Sequence, residues 1–324
     1  MKISIVMATY NGSKYLQEQL NSFLLQTRLP HELVVSDDAS KDDTCKIIEE
    51  FSVNAPFDVR LIRNRENSGY SANFNKALLE SKGDLVFLSD QDDVWFSDKI
   101  EHMLSRVLDN PDTLLFMNDA QFTNEALVPV NITKLGQIRS AGLSDTSFVM
   151  GCCICVRREL LNICLPIPDD FGSHDGWLVR FGIGLNTRII DKKVLQYYRR
   201  HSSNTSNVIF NNPQRISYLD LFPYYFKVIF GSNSHEEEKS RILKNKLILS
   251  RLDLVLAKRS ILDTKRLLEF RESTVKELFF LEKHLKIRTR PFLPRLFQVT
   301  CSFVVGDYFS IRGFRVLLQD IVGE

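Results

Sequence analysis

Three carboxylates stand within four residues of one another, directly after an apolar segment. Residues 85–89 read Leu-Val-Phe-Leu-Ser, and Asp90, Asp92 and Asp93 follow them. Because an unpaired carboxylate is costly to bury, we expect these acids beyond the C-terminal end of a buried strand, where open α/β sheets bind ligands. Oxygen ligands there suit Mg²⁺ or Mn²⁺ held together with the phosphates of a substrate. The same residues also permit a polar turn in which Asp93 caps the next helix.

A second acidic pair, Asp37 and Asp38, follows the apolar segment at residues 31–36. If both segments are parallel strands of one sheet, the pair and the first three acids converge on the same edge. The alternative for Asp38 is a simple Asx turn, with Asp43 capping the following helix.

The spacing of apolar residues predicts strands that alternate with helices over the first part of the chain. We predict strands over residues 3–8, 31–36, 59–62 and 84–89. We predict the intervening helices over residues 15–26, 43–51 and 71–81. This alternation is typical of a parallel sheet with helices on both faces.

Further along, the pattern continues less regularly and then changes. We predict a helix over 97–108, strands over 114–118, 148–156 and 188–198, and a polar excursion between the first two of these strands that ends near residue 146. From about residue 215, Leu and Lys/Arg recur at helical spacing. We therefore predict an α/β domain over residues 1–210 and a helical, basic region over residues 211–324.

Charge is unevenly distributed along the chain. The formal net charge is +2, yet residues 239–296 hold 16 Lys plus Arg against 6 Asp plus Glu. A basic segment on an acidic body favours a partner with an anionic surface: nucleic acid, a phospholipid leaflet or a charged lipid-linked substrate. No nucleic-acid-binding signature is present, so we expect no nucleic acid partner.

The cysteines and the apolar segments indicate where in the cell the protein is located. Six cysteines, three of which (Cys152, Cys153 and Cys155) crowd one apolar run, predict buried free thiols and a reducing cytosol. Residues 1–8 lack a basic n-region and a cleavage site, which favours a strand over a signal peptide. No window reaches ~18 uncharged apolar residues, the length that would span a bilayer. We expect a cytoplasmic protein, peripheral at the inner face of the membrane.

Two common nucleotide-binding classes are excluded by their missing loops. The turn after the first strand offers only Gly12, where a dinucleotide fingerprint requires three glycines. A Walker A loop is also missing, which excludes P-loop enzymes.

Four segments in order resemble the family 2 glycosyltransferases of GT-A fold: residues 4–12 (Ser-Ile-Val-Met-Ala-Thr-Tyr-Asn-Gly), 34–40, Asp90-Gln91-Asp92 and His174-Asp175. The segment Asp-Gln-Asp-Asp-Val-Trp at residues 90–95 is similar to that of the bacterial rhamnosyltransferase-like members of this family. The resemblance covers about residues 1–205. It implies a mostly parallel GT-A sheet flanked by helices, and inverting transfer from a nucleoside diphosphate sugar with Mn²⁺ or Mg²⁺.

The resemblance also implies roles for individual residues on the donor side. Asp38 would accept the imide N–H of the pyrimidine, and Thr9, Tyr10 and Asn11 would line the base and ribose.

For the diphosphate, the resemblance implies that Asp92 coordinates the metal and that Asp90 lies near the ribose or serves as a further metal ligand. His201 would be an additional metal or pyrophosphate ligand, and Arg199 or Arg200 would meet diphosphate oxygens, since Arg suits bidentate phosphate contact.

The resemblance assigns the base to Asp175, because an inverting transfer requires a group that takes the proton of the acceptor hydroxyl. His174 stands where the family commonly has Glu, so its role stays open. The alternative is that Asp175 only caps the helix beginning near Trp177.

The C-terminal tail predicts a membrane contact. Its residues Arg288, Arg290, Arg295, Arg312 and Arg315 interleave with Phe292, Phe297, Phe303, Tyr308, Phe309 and Phe314. Such a segment lies on anionic lipid, although packing on the catalytic domain is the alternative. A lipid-anchored acceptor would fit this position.

The full expectation is transfer to a hydroxyl of a lipid-linked oligosaccharide in bacterial surface polysaccharide synthesis, O-antigen or capsule. dTDP-L-rhamnose is the first expectation for the donor, with UDP-hexose and UDP-N-acetylhexosamine open. The competing hypotheses are a carboxylate–metal phosphohydrolase and a non-catalytic nucleotide-sugar scaffold. The oligomeric state is left open.

Overall fold

The computed structural model describes residues 1–202, 204, 213–217, 220, 234–258, 264–309 and 313–322. They fall into two compact units, Met1–Ile216 and Ser217–Glu324. The nine strands found in the described part of the first unit are β1 (Ile3–Thr9), β2 (Glu32–Asp37), β3 (Asp58–Arg63), β4 (Leu85–Ser89), β5 (Val94–Trp95), β6 (Leu115–Thr123), β7 (Pro129–Thr133), β8 (Ile154–Arg157) and β9 (Arg188–Arg199). Its helices are α1 (Ser13–Leu24), α2 (Thr44–Asn54), α3 (Tyr70–Glu80), α4 (Lys99–Asp109), α5 (Lys134–Ser140), α6 (Arg158–Cys164) and α7 (His174–Gly184).

The strands form one mixed sheet in the order β3-β2-β1-β4-β8-β6-β9-β5, with β7 paired to β6. The first four are parallel, as expected from their alternation with helices. Beyond β4 the sheet becomes mixed, because β8 runs antiparallel to both β4 and β6. The predicted α/β class is confirmed, and the antiparallel pairs beyond β4 distinguish it from a uniformly parallel sheet, although β6 and β9 again run parallel.

Burial on both faces explains why β1, β2 and β4 read as continuous apolar runs. All six residues of β2 and all five of β4 are buried. Leu16, Leu20 and Phe23 of α1 pack in the same core, and the Phe23 ring lies edge-on to Trp95 at 4.8 Å. The polar ends of these strands are therefore positioned by a rigid apolar layer.

Two predicted elements are wrong in extent. The strand expected over 148–156 is only Ile154–Arg157, preceded by a 3₁₀ turn at Gly151–Cys153. The strand expected over 114–118 continues to Thr123, and β7 and α5 occupy the polar excursion. Apolar runs report burial, and residues 150–153 are buried by packing without joining a ladder.

The second unit is helical where it is described: α8 (Ser234–Ala257), α9 (Thr264–Arg288), α10 (Phe292–Val304) and α11 (Gly313–Val322). Its interior holds a charged network centred on Asp320. That carboxylate accepts hydrogen bonds from His284 Nδ1, from Arg288 Nε at 2.7 Å and from Tyr308 OH at 2.8 Å. The network ties α9, α11 and the turn after α10 together, since a buried carboxylate must be paired.

Candidate active site

The carboxyl ends of β1, β2 and β4 lie side by side at one edge of the sheet. Thr9, the last residue of β1, pairs with Asp37 at the end of β2, and Met7 pairs with Ser89 at the end of β4. The Thr9 hydroxyl donates to Asp37 Oδ2 at 2.9 Å. The two acidic segments predicted from the sequence thus share one edge.

The turn after β1 is locked to the acidic segment by Gln91. The Tyr10 amide donates to Gln91 Oε1 at 2.9 Å, and Gln91 Nε2 donates back to the Tyr10 carbonyl at 3.1 Å. A Cβ at Gly12 would lie 2.2 Å from Gln91 Oε1, so only glycine leaves room for this amide. Asn11 adopts a positive φ of 46° and accepts the Lys41 amide through Oδ1 at 2.8 Å. Sequence reasoning missed Gln91, although its place between two acids was the available signal.

Asp38 is buried and organises the loop before α3. Its carboxylate accepts the Ser68 and Gly69 amides at 2.9 and 2.8 Å and the Asn64 side-chain amide at 3.0 Å. It therefore does more than form a local Asx turn. Oδ2 receives only the Gly69 amide among these donors, so it retains a lone pair for a further N–H.

Asp92 lies against the segment after β9. Its Oδ2 is 2.8 Å from His201 Nε2 and 3.1 Å from Asn204 Nδ2. The His201 side chain is only 6% exposed. Two of the three predicted metal ligands, Asp92 and His201, are thus in direct contact; Asn204 was not predicted.

Asp90, Asp93 and Cys152 form a second group, with ligand atoms within 4.8 Å of one another. Burial and then the negative charge of Asp92 raise the pKa of Asp90 to about 7. Burial and the charges of Asp92 and Asp90 raise the pKa of Asp93 well above its usual range. Because burial also raises the pKa of the Cys152 thiol, this group offers no thiolate, and a thiol is a poor ligand for Mg²⁺ or Mn²⁺.

Asp93 is a structural link and not a helix cap. It is fully buried, and its carboxylate accepts the Gln196 side-chain amide at 2.9 Å and the Arg199 backbone amide at 3.2 Å. The residue at the N-cap of α4 is Asp98. The interpretation of Asp93 as a cap is therefore wrong, because the carboxyl group turns back towards β9.

Asp175 lies in the first turn of α7. Its Oδ1 accepts the Ser173 hydroxyl at 2.5 Å and the Gly176 amide at 2.7 Å, while Ser173 serves as the N-cap. The negative charge of Asp175 also contributes to the raised pKa of Asp90. A Cβ at Gly151, the residue before Cys152, would lie 3.6 Å from the Asp175 Cβ, so Asp175 lies beside the segment that holds Cys152.

His174 is buried beside it. Its ring stacks on Phe74 with centroids 4.0 Å apart, and a Cβ at Gly151 would lie 2.7 Å from its Nε2. Neither ring nitrogen has a hydrogen-bond partner among the described residues. Burial lowers the pKa of His174 and outweighs the negative charge of Asp175, which acts to raise it. The imidazole is therefore neutral at neutral pH. Its packing orients the start of α7.

The two arginines predicted for the diphosphate make protein contacts. Arg199 is 3% exposed, and its guanidinium donates to the Asp92 carbonyl at 2.9 Å, to the Glu125 carbonyl at 2.7 Å and to the Glu18 carboxylate. Arg200 Nη1 lies 3.3 Å from the Tyr198 hydroxyl. Arg199 thus holds the backbone of the acidic segment.

Comparison with known proteins identifies relatives of this chain. Residues 4–163 match the family model of glycosyl transferase family 2. The chain is 28% identical over 217 residues to the dTDP-rhamnosyl transferase RfbG of Shigella flexneri, covering 61% of this chain and 72% of that protein. It is 30% identical over 165 residues to the UDP-Glc:alpha-D-GlcNAc-diphosphoundecaprenol beta-1,3-glucosyltransferase WfgD of Escherichia coli, covering 49% of this chain and 62% of WfgD.

Solved structures share the fold. The alignment with S. aureus TarS 1-349 in complex with UDP covers 99% of this chain and 89% of the TarS chain, with a TM-score of 0.54 and 16% identity. The alignment with the same protein in complex with UDP-GlcNAc covers 88% of this chain and 92% of the TarS chain, with a TM-score of 0.52 and 18% identity. These structures confirm the GT-A fold predicted from the sequence.

Proposed function

We propose, since this chain belongs to glycosyl transferase family 2 and is a hexosyltransferase, that its first unit transfers a sugar with inversion from a nucleoside diphosphate donor to an acceptor hydroxyl. One observation carries the proposal: a Cβ at Gly151 would lie 3.6 Å from the Asp175 Cβ, and the next residue, Cys152, has its sulfur within 4.8 Å of carboxylate oxygens of Asp90 and Asp93. The acids that follow β4 and the acid at the start of α7 therefore lie around one short segment, as donor binding and base catalysis together require.

The donor nucleotide is assigned to the first two strand ends. Asp38 Oδ2 accepts the imide N–H, and the turn of Thr9, Tyr10 and Asn11 lines the base and ribose. The exposed Tyr10 side chain supports this, because the backbone of that turn is already held by Gln91. Arg200 is assigned to the diphosphate and Arg199 to the support of Asp92.

A divalent cation, Mn²⁺ or Mg²⁺, fits the Asp92–His201 pair. The two ligand atoms are 2.8 Å apart, close to the separation of about 3 Å between adjacent octahedral ligands. We assign Asp90, two residues before Asp92 in the chain, to a further contact with the cation or the ribose. When bound, the cation neutralises charge that develops on the leaving diphosphate.

The proton of the acceptor hydroxyl passes to Asp175. One oxygen of this carboxylate accepts both Ser173 and Gly176, which leaves the second oxygen for the acceptor. The ring of the preceding residue, His174, stacks on Phe74 and so holds the start of α7 in place.

dTDP-L-rhamnose remains the first donor to test, because RfbG is named for it. The name of WfgD, which contains a diphosphoundecaprenol, supports a lipid-linked acceptor of the kind used in O-antigen or capsule synthesis. UDP-hexoses and UDP-N-acetylhexosamines are the competing donors.

A thermal-shift screen tests class and donor together. At about 100 Kd the correct donor should stabilise the folded chain by about 2.7 kcal/mol and raise Tm by about 5 °C or more, with Mn²⁺ present and not with EDTA. The panel contains dTDP-L-rhamnose, UDP-glucose, UDP-galactose and UDP-N-acetylglucosamine. A chain that no nucleotide sugar stabilises would contradict the proposal.

The second unit supports a peripheral membrane contact. α10 exposes an apolar stripe in which Leu293 is 76%, Phe297 71% and Val304 78% exposed. Arg295 is the one charged residue of α10, all of whose residues are described, and it is buried. Lys286 and Arg290, which precede α10, are exposed. An apolar stripe next to basic residues suits an anionic bilayer surface.

The structure changes the residues assigned to this contact. Arg288 and Arg295 are buried, so neither faces lipid, and Arg312 and the side chains of Phe314 and Arg315 lie outside the described residues. Cys301, expected to be buried, is exposed on α10. Across the described residues, the structure contains no helix with the length and apolar character that bilayer crossing requires.

Changing Leu293, Phe297 and Val304 to Ser together should lower binding to phosphatidylglycerol-containing vesicles by more than about tenfold, because each buried apolar side chain contributes about 1.5–3 kcal/mol. Vesicle sedimentation measures this. The matched control changes Leu254, Leu268 and Phe279 to Ser, three exposed apolar residues of α8 and α9. Unchanged sedimentation, or a stripe that instead mediates self-association in ultracentrifugation, would contradict the assignment.

A further inference from the structure

Tyr15, in the first turn of α1, packs against the proposed metal ligand His201. Their ring centroids are 4.5 Å apart at an interplanar angle of 35°. The Arg199 guanidinium carbon lies 4.7 Å from the centroid of the same phenol ring. Tyr15 is 9% exposed, so it fills a defined place between the helix and the segment after β9.

Glu125, in the turn between β6 and β7, holds Tyr15 from the other end. Its carboxylate accepts the Tyr15 hydroxyl at 2.8 Å and also pairs with Lys14. The turn is itself ordered, because Asn124 Oδ1 accepts the Ala126 and Val128 amides at 3.0 and 2.9 Å. A residue of a hairpin turn thus sets the position of an aromatic ring beside the metal ligand.

The same contacts reach Asp92 through Arg199. The Glu125 carbonyl accepts Arg199 Nη1 at 2.7 Å, and Arg199 Nε donates to the Asp92 carbonyl at 2.9 Å. Both residues of the Asp92–His201 pair are therefore held by one cluster formed by Tyr15, Glu125 and Arg199. None of these three residues belongs to the acidic motifs.

We infer that Tyr15 and Glu125 are positioning residues that preset His201 towards Asp92 for cation binding. A histidine ligand that turns freely must lose that freedom on binding, and contacts that fix ligand orientation are typically worth 10- to 100-fold in metal affinity by order of magnitude, about 1.4 to 2.7 kcal/mol. The inference rests on the proposed function, because it takes Asp92 and His201 as the cation ligands.

Mn²⁺ alone, titrated into the full chain and followed by the electron paramagnetic resonance of free Mn²⁺, measures this role without turnover. Tyr15→Leu should raise the Kd for Mn²⁺ about tenfold. Tyr15→Phe keeps the ring and should recover most of the affinity, and Glu125→Ala should fall between the two. Both residues border an open cavity of ≈ 570 Å³.

The matched control is Phe57→Leu, which removes a ring whose described aromatic contact is Phe51, at a centroid distance of 6.1 Å. It should leave the Kd for Mn²⁺ unchanged. Melting temperatures of all variants establish that they are folded.

A double-mutant cycle separates positioning from general damage, since it isolates the coupling between two residues. In a His201→Ala background, Tyr15→Leu should cause no further change in Mn²⁺ affinity. An unchanged Kd in Tyr15→Leu alone, or the same loss with and without His201, would overturn the inference. If Asp92→Asn retained wild-type Mn²⁺ affinity, the proposed cation site itself would fail.

Discussion

Replacing Asp92 with asparagine is expected to abolish cation-dependent donor binding and to lower transfer about a thousandfold, which corresponds to about 4 kcal/mol. Asparagine matches the carboxylate in size and retains an oxygen for the Asn204 side chain, 3.1 Å away, but it carries no charge for a cation shared with His201. The loss should therefore appear in binding as well as in turnover.

Isothermal titration with the nucleoside diphosphate, with and without Mn²⁺, measures this loss. Asp112→Asn, a change at an exposed aspartate outside the acidic segment, is the matched control and should behave as wild type. If Mn²⁺ still strengthened nucleotide binding in the Asp92 variant, the assignment of this carboxylate to the cation would be wrong.

Replacing Asp175 with asparagine is expected to lower turnover about a thousandfold with nearly unchanged donor affinity, since general base catalysis contributes about 10²- to 10⁴-fold. The asparagine oxygen can still accept the Ser173 hydroxyl and the Gly176 amide, so the start of α7 should remain intact. Only the capacity to take the acceptor proton is removed.

Single-turnover transfer and donor titration on the same preparation distinguish this result from the first. Asp170→Asn, at an exposed acid in the turn before α7, serves as the control. Wild-type turnover in the Asp175 variant would exclude it as the base, whereas a parallel loss of donor affinity would indicate damage to the site.

The local sequence pattern was sufficient to predict the strands and helices that position the acidic residues. Alternating apolar strands and helices predict β1, β2 and β4, and so place Asp38 and Asp92 just beyond the ends of β2 and β4. The extent of β8 could not be predicted, because the run at 148–156 is apolar for packing reasons and only its last part joins the ladder. Periodicity cannot separate these two kinds of burial.

The contacts of charged side chains were the least predictable feature from the sequence alone. Arg199 was expected at the diphosphate and Arg288 at lipid, yet both are buried and bonded to carboxylates. Whether an arginine meets solvent, substrate or a buried acid depends on residues distant in the chain. Asp320, which is 32 residues from Arg288, carries no local sign of its role.

The sequence by itself determined the class of this protein, because acids after buried strands and the four family segments depend only on local residue types. Tertiary structure alone decided which acid has which partner. Asp92 meets His201 across 109 residues, Tyr15 meets Glu125 across 110, and Asp93 turns inward to β9. Such pairings depend on the whole packed environment and not on any short segment, because a buried charge such as that of Asp93 must find its partners on distant elements.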